Sequence, residues 1–203
     1  ASGVVEREDT LFMETGILTR AIQSIVRRYA DVLGCLPASH GDGAWHPEVL
    51  ALTWQALLDK GYSDIAVRLR VLRQLIFYHL YQLDCHEGAS LAAVMQGMTE
   101  LAEFCIAKAV QHTHTELAAL HGEPAGRLWT LGMGKLGARE LNVSSDIDLI
   151  FLYAQDGETV ATEPALAAQA GQNALAAQTV ISHQAFFTEQ VRRIKRLLGD
   201  VTE

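Results

Sequence analysis

A mainly α fold carrying a small β-sheet (α+β) is the class this sequence predicts. Three observations predict it. Apolar residues recur at helical spacing through the first two-thirds of the chain. Two short apolar runs, 127–131 and 146–153, the second rich in β-branched and aromatic residues, flank a glycine-containing stretch. A helical stripe then returns after Ser182.

The elements follow in order. Thr10 to Leu33 carries Leu18, Ile22, Ile25, Tyr29 and Leu33 on one face, and Gly34 can stop that helix. Cys35 to His46, with Pro37, Gly41 and Gly43, reads as a loop. Pro47 suits a first helical position, and Glu48 suits the positive end of a helix dipole. The face Val49, Leu50, Thr53, Trp54 and Leu57 follows, ending at Gly61. Ser63 or Asp64 can cap a third helix with the stripe Ile65, Leu69, Leu72, Ile76, Leu80 and Leu83. Its Arg68, Arg70 and Arg73 fit a solvated or salt-bridged face, or else a contact to nucleotide phosphate. Ser90 opens a long helix towards Leu120, and Gly122 and Pro124 end it. Four such helices with short connections suggest an antiparallel bundle or a helical lobe, residues 1–124.

The remainder, 125–203, reads differently. Arg127 to Leu131 is a short strand, and Asp146 to Tyr153 a second. Residues 154–162 read as a loop, and Thr162 to Ile181 as an Ala-rich segment weakened by Gly171 and Asn173. Ser182 can cap a last helix with the stripe Phe187, Val191, Ile194 and Leu198. Its Arg192, Arg193, Lys195 and Arg196 suit solvent, or docking to a partner. A two-stranded sheet needs helical cover, and a free edge invites another strand.

Composition narrows the function. The 203 residues allow one domain or two small ones, and 49% are hydrophobic, enough for a packed core. A net charge of −8 disfavours the basic surface of nucleic-acid binders but not a magnesium-nucleotide, whose ion brings its own positive charge. No apolar run is long enough for a membrane span, since Val71–Leu83 is broken by Arg73, Gln74, His79 and Gln82. The first residues lack a secretory signal's pattern, and Cys35, Cys85 and Cys105 form no C-x-x-C, so a reduced cytoplasm is expected. The eight histidines are scattered and read as structural or solvated; His112 and His114, two apart on a helix, cannot share a metal.

The chemistry concentrates in Gly132 to Tyr153. On a strand, Asp146 and Asp148 share one face and Ile147 and Leu149 the other, with the carboxylate-bearing Cα atoms roughly 6.6 Å apart. Unit charges about 4 Å apart repel by roughly 4 kcal/mol at an effective dielectric near 20. A divalent cation converts that repulsion into ligation, and carboxylates with substrate phosphates are the usual Mg²⁺ ligands. Gly132, Gly134 and Gly137 allow backbone close to a phosphate, Lys135 adds a point charge, and Ser144 and Ser145 place hydroxyls beside the acids. No Walker loop is present. The glycine spacing matches a dinucleotide fingerprint formally, but paired aspartates follow too soon for its crossover helix.

The segment LGMGKLGARELNVSSDIDLIFLY resembles the signature of bacterial glutamine synthetase adenylyltransferases, within the polymerase-beta-like nucleotidyltransferase superfamily. There a Gly plus a polar or small residue precedes Asp-x-Asp by about ten residues; here Gly134-Lys135 precede Asp146. The wording GMGKLG…ELNVSSDIDLIF is closest to the deadenylylating half of that family. LRVLRQLIFYHLYQLD, SLAAVMQGMTELAEF and SHQAFFTEQVRRIKRLLGDVTE resemble the flanking helices, so the likeness covers roughly residues 45–203. Ala138 stands where the family often has glycine.

The resemblance implies a helical lobe followed by a truncated nucleotidyltransferase core, a fragment of a longer enzyme. The family's third metal-site carboxylate comes from a later strand, and Asp200 and Glu203 are poor stand-ins. It implies that Asp146 and Asp148 hold Mg²⁺ and act in catalysis. It also implies that Gly132, Gly134, Lys135, Gly137, Ser144 and Ser145 hold phosphate groups of ATP or ADP, or inorganic phosphate. The implied reaction is phosphorolytic removal of AMP from the adenylyl-tyrosine of glutamine synthetase. The implied partners are that enzyme and a nitrogen-regulatory signal protein. Alternatives are ATP-dependent adenylylation of the same tyrosine, or an inert helical module that only binds these partners.

Overall fold

The computed structural model describes residues 16–143, 145–161 and 178–199, with side chains from Arg20 onward. The start of the first helical stripe, Ser144, most of the Ala-rich segment, Asp200 and Glu203 lie outside the described residues. The architecture is mainly helical with one small antiparallel sheet, the expected class. The elements are α1 (Gly16–Arg28), a 3-10 turn at Leu33–Cys35, α2 (Glu48–Asp59), α3 (Ile65–His86), α4 (Leu91–His121), β1 (Trp129–Gly132), α5 (Gly134–Gly137), β2 (Leu149–Leu152) and α6 (His183–Gly199). No helix among the described residues is long and apolar enough to cross a membrane.

The chain forms two compact units: Ala1–Phe104 with Met133–Asp148, and Cys105–Gly132 with Leu149–Glu203. In the first unit α1 and α2 pack on α3. Leu57, Leu69, Leu72, Leu75, Ile76 and Leu80 are wholly buried there, and each such side chain contributes about 1.5–3 kcal/mol. Asp64 caps α3 by accepting the Val67 N–H at 2.9 Å, as the sequence suggests. Gly97 lets α4 approach α3 closely, since a Cβ there would lie 2.5 Å from Leu80 Cδ2.

The α3 arginines differ from a simple solvated face. Arg68 is buried, with its guanidinium carbon 4.0 Å from the Trp54 ring centroid. The cause is the planar, weakly hydrated guanidinium, which stacks on an aromatic face where an ammonium would stay in water. Burial lowers its pKa, and its Nε and Nη1 have no hydrogen-bond partner among the described residues.

His79 is also buried in this unit. Burial pushes its pKa below the ordinary value; Glu87 raises it, and His46 and His40 lower it further. On acidification the unfolded chain therefore protonates first, near pH 6.5, while folded His79 stays neutral. Stability should be full above that pH, fall as pH drops below about 6.5, and level off beneath the folded pKa. Urea midpoints at about pH 7.5 and about pH 5.5 should differ more for the parent than for His79→Leu; equal differences would count against this assignment.

In the second unit, Phe186, Phe187 and Ile194 of α6 pack with Ala109 and Leu117 of α4 and with Leu128. Phe151 and Tyr153 close the cluster, Tyr153 stacking on Phe187 at 5.1 Å between ring centroids. Ser182 caps α6 through its Oγ, which accepts the Ala185 N–H at 3.2 Å. Of the basic residues on α6, Arg193 is tied to Glu189 at 3.1 Å and to Glu116 at 3.3 Å, and Arg192 to Glu189 at 2.5 Å. Lys195 and Arg196 are exposed.

His183 is almost wholly buried and satisfied at both ring nitrogens. Nε2 accepts the Ala125 N–H at 3.0 Å, so the ring proton sits on Nδ1 and is donated to the Gln155 carbonyl at 3.0 Å. His183→Leu should strand both backbone groups and cost about 2–6 kcal/mol, at roughly 1–3 kcal/mol per unsatisfied group. A urea denaturation midpoint indistinguishable from the parent's would contradict this.

β1 and β2 pair antiparallel, Trp129 opposite Leu152 and Gly132 opposite Leu149. β1 is shifted along the chain from the expected 127–131, and β2 covers only the Leu149–Leu152 part of the expected 146–153. Asp146–Asp148 were expected on the strand but precede it. The register gives the reason: residues opposite them would be Met133 and beyond, where the chain already winds into α5. One further ladder bond is made, from the Met133 N–H to the Asp148 carbonyl at 2.9 Å.

Candidate functional site

The segment Met133–Asp148 in the first unit holds most of the residues singled out above. It begins with α5, a single turn. Gly134 has φ +53°, a left-handed conformation that a side chain disfavours, and a Cβ there would meet nothing within 4 Å. The helical bond begins with the Gly137 N–H to Met133 O at 3.1 Å. The N–H groups of Gly134, Lys135 and Leu136 therefore have no acceptor within the turn, and such a set suits an anion. Lys135 is exposed beside them. Gly137 donates its own N–H inside the turn, and Gly132 is paired in β1. Those two glycines shape the backbone, and the N–H groups without a backbone acceptor among the described residues belong to their neighbours.

Two buried leucines and a set of polar bonds anchor the segment. Leu136 and Leu141 are 5% and 3% exposed. The Leu141 N–H donates to Thr99 Oγ1 on α4 at 3.3 Å. Arg139 takes φ +59° and donates to Glu103 at 2.6 Å, with Glu100 at 3.6 Å. Glu100 also accepts the Trp45 indole N–H at 2.7 Å and the Gln96 amide at 2.9 Å. The first half of α4 thus fixes where the turn lies. Thr99, Glu100, Glu103 and Arg139 were not among the residues singled out. Their partners lie 36 to 42 residues away in sequence, and a lone Arg or Glu on a polar face carries no sign of such pairing.

Ser145 closes a local turn. Its Oγ donates to Asn142 Oδ1 at 2.5 Å, and its N–H donates to the Asn142 carbonyl at 3.2 Å. With its proton committed there, Ser145 offers a phosphate no hydroxyl donor while that bond holds. Ser144 lies outside the described residues.

Asp146 and Asp148 are both exposed, and Ile147 between them is half-buried. The alternation of an extended chain therefore persists outside the regular ladder. Neither carboxylate is sealed against hydrocarbon. Two exposed carboxylates two residues apart offer oxygen donors of the kind that a hard cation such as Mg²⁺ carrying phosphate ligands takes.

Comparison with known proteins bears on this segment. Residues 18–203 match the family model described as glutamate-ammonia ligase adenylyltransferase. The chain is 43% identical over 142 residues to a bifunctional glutamine synthetase adenylyltransferase/adenylyl-removing enzyme of Ralstonia nicotianae, covering 66% of this chain and 13% of that protein. It is 33% identical over 191 residues to the protein of the same name from Aromatoleum aromaticum, covering 90% of this chain and 19% of that protein. The Bordetella pertussis protein of that name is 45% identical over 151 residues, 66% of this chain and 16% of that one. The matched region is thus less than a fifth of the length of each of these relatives.

Proposed function

Because this chain belongs to the glutamate-ammonia ligase adenylyltransferase family, we propose that it carries the nucleotide-binding part of a phosphorolytic, adenylyl-removing site acting on glutamine synthetase. The observation that carries this reading is that Asp146 and Asp148 are both exposed and follow the Gly134–Gly137 turn in sequence, in a segment whose wording is closest to the deadenylylating half. In the reaction, an oxygen of inorganic phosphate attacks the phosphorus of the tyrosine-bound AMP. The bond from that phosphorus to the tyrosine oxygen breaks, ADP is released, and the tyrosine oxygen recovers a proton.

Asp146 and Asp148 hold Mg²⁺. When bound, that ion would neutralise charge on the transferring adenylyl group. The open N–H groups of Gly134, Lys135 and Leu136 orient a phosphate, and the Lys135 ammonium pairs with it. Leu136, Leu141 and the Arg139–Glu103 pair keep the turn in place, so little reorganisation is needed when charge develops. No side-chain nucleophile is required. Glutamine synthetase is the protein partner, and a nitrogen-regulatory signal protein sets the activity.

ATP-dependent adenylylation is the second reading, since the relatives' name carries both activities. Products separate the two. Adenylylated glutamine synthetase with phosphate should yield ADP; pyrophosphate from ATP and the unmodified enzyme would favour addition instead. Neither product, together with no magnesium-dependent nucleotide binding, would overturn both.

A further inference from the structure

We propose that His40, His46 and Glu48 form a site for a divalent transition-metal ion of the zinc type, with Asp42 holding His46 in the metal-binding tautomer. The three side chains each bring one ligand atom within 4.8 Å of the others. His46 Nδ1 lies 3.7 Å from Glu48 Oε1. Tetrahedral zinc, with bonds of about 2.0–2.2 Å, sets its donors roughly 3.3–3.5 Å apart, so this pair needs only a small closure. The His40 and His46 rings lie 4.0 Å apart between centroids.

The other face of His46 supplies a second observation. Nε2 lies 3.2 Å from Asp42 Oδ2 and 3.3 Å from Oδ1. A proton on Nε2 is therefore donated to Asp42, which leaves the Nδ1 lone pair directed at the Glu48 side. Carboxylate, imidazole and metal in that order is how metal-bound histidines are commonly oriented. Without an ion, a protonated His46 could pair with both carboxylates as surface ion pairs do, each contributing little. That reading gives His40 no role, although its ring lies tilted against the same imidazole.

The loop that presents these groups is held from several directions. Ser39 Oγ donates to Glu87 at 2.7 Å, and the Ala44 N–H donates to Asp42 Oδ1 at 2.9 Å. Gly43 has φ +65°, and a Cβ there would lie 2.7 Å from the Glu87 carbonyl oxygen, so the backbone presses against the turn between α3 and α4. Trp45 is buried below, its indole N–H on Glu100. Glu48 stands on the first residue of α2. Ligands on a pinned loop and a helix start lose little freedom on binding. Two nitrogens and a carboxylate favour zinc, cobalt or nickel over magnesium, which separates this site from the paired aspartates.

The test is titration of the chelator-treated protein, as the whole chain, with Zn²⁺, and with Co²⁺ for its coordination spectrum. One Zn²⁺ should bind and raise the melting temperature, and Co²⁺ should show the absorption of a low-coordinate nitrogen–oxygen site. His40→Ala and His46→Ala should each weaken Zn²⁺ binding at least about 100-fold, and Asp42→Asn about 10–100-fold. Excess Mg²⁺ should not compete, and the Asp146→Asn, Asp148→Asn double variant should bind Zn²⁺ as the parent does. Glu48→Gln, an exposed change, serves should a histidine variant fail to fold, and should also weaken binding. Undiminished Zn²⁺ binding by the folded variants, or none by the parent, would overturn the proposal.

Discussion

Asp146→Asn and Asp148→Asn should each abolish magnesium-dependent ADP binding and cut phosphorolytic removal of the adenylyl group, read as ADP formed, by about 100-fold or more. The size follows from the several kcal/mol that a bound cation supplies to phosphoryl transfer, at about 1.36 kcal/mol per tenfold in rate. Both side chains are exposed, and asparagine is nearly isosteric, so the fold should be unaffected. Removing one carboxylate also removes one of two like charges that stand two residues apart. Stability of each variant should therefore equal or slightly exceed the parent's when magnesium is absent. Calorimetric titration with ADP, with and without Mg²⁺, reads the binding. A urea melt in chelator reads the stability. Wild-type ADP affinity in either variant would remove these residues from the site.

Phe186→Ala should cost about 3–5 kcal/mol, the largest stability loss among single truncations in the second unit. Phe186 is wholly buried and sits edge-on to Phe187, with ring centroids 5.4 Å apart, and to His114 at 5.6 Å. It lies in one cluster with Ala109, Leu117, Leu128 and Ile194, which come from three separate stretches of chain. The cavity left behind cannot close without moving α6 against α4. Leu198 is only half-buried at the edge of this cluster, so Leu198→Ala should cost markedly less. Denaturant midpoints of the two variants measure the difference; equal losses would mean that the centre of this core is misplaced.

Most helix ends were legible because a residue or two signals each; the expected stop of the first helix at Gly34 was not met, since α1 ends at Arg28 and Leu33–Cys35 is a 3-10 turn. Asp64, Ser182 and Gly122 act within a few residues of where they stand, and the chain stops or starts its helices there. The site was legible as a linear pattern, since glycines and paired acids crowd into one short stretch. What holds that stretch was not. Arg139 and Leu141 reach Glu103 and Thr99 across long separations, and only the folded chain shows which acid meets which base. The second strand stops short of the aspartates because α5 withdraws its partner, a property of two segments together. Arg68 illustrates a further limit: a charged residue reads as solvated until an aromatic neighbour such as Trp54 is found beneath it. His40 and His46 are six positions apart in a loop, and no helical or strand periodicity announces that a turn brings their rings together.

The most direct measurement is a crystal soaked with Mn²⁺ and ADP, read by the anomalous signal of the metal. A single peak should appear with Asp146 and Asp148 oxygens both about 2.1 Å from it and an ADP phosphate completing the shell. No peak at the aspartates under conditions where ADP is bound, or a peak held by only one of them, would mean that these acids do not share an ion.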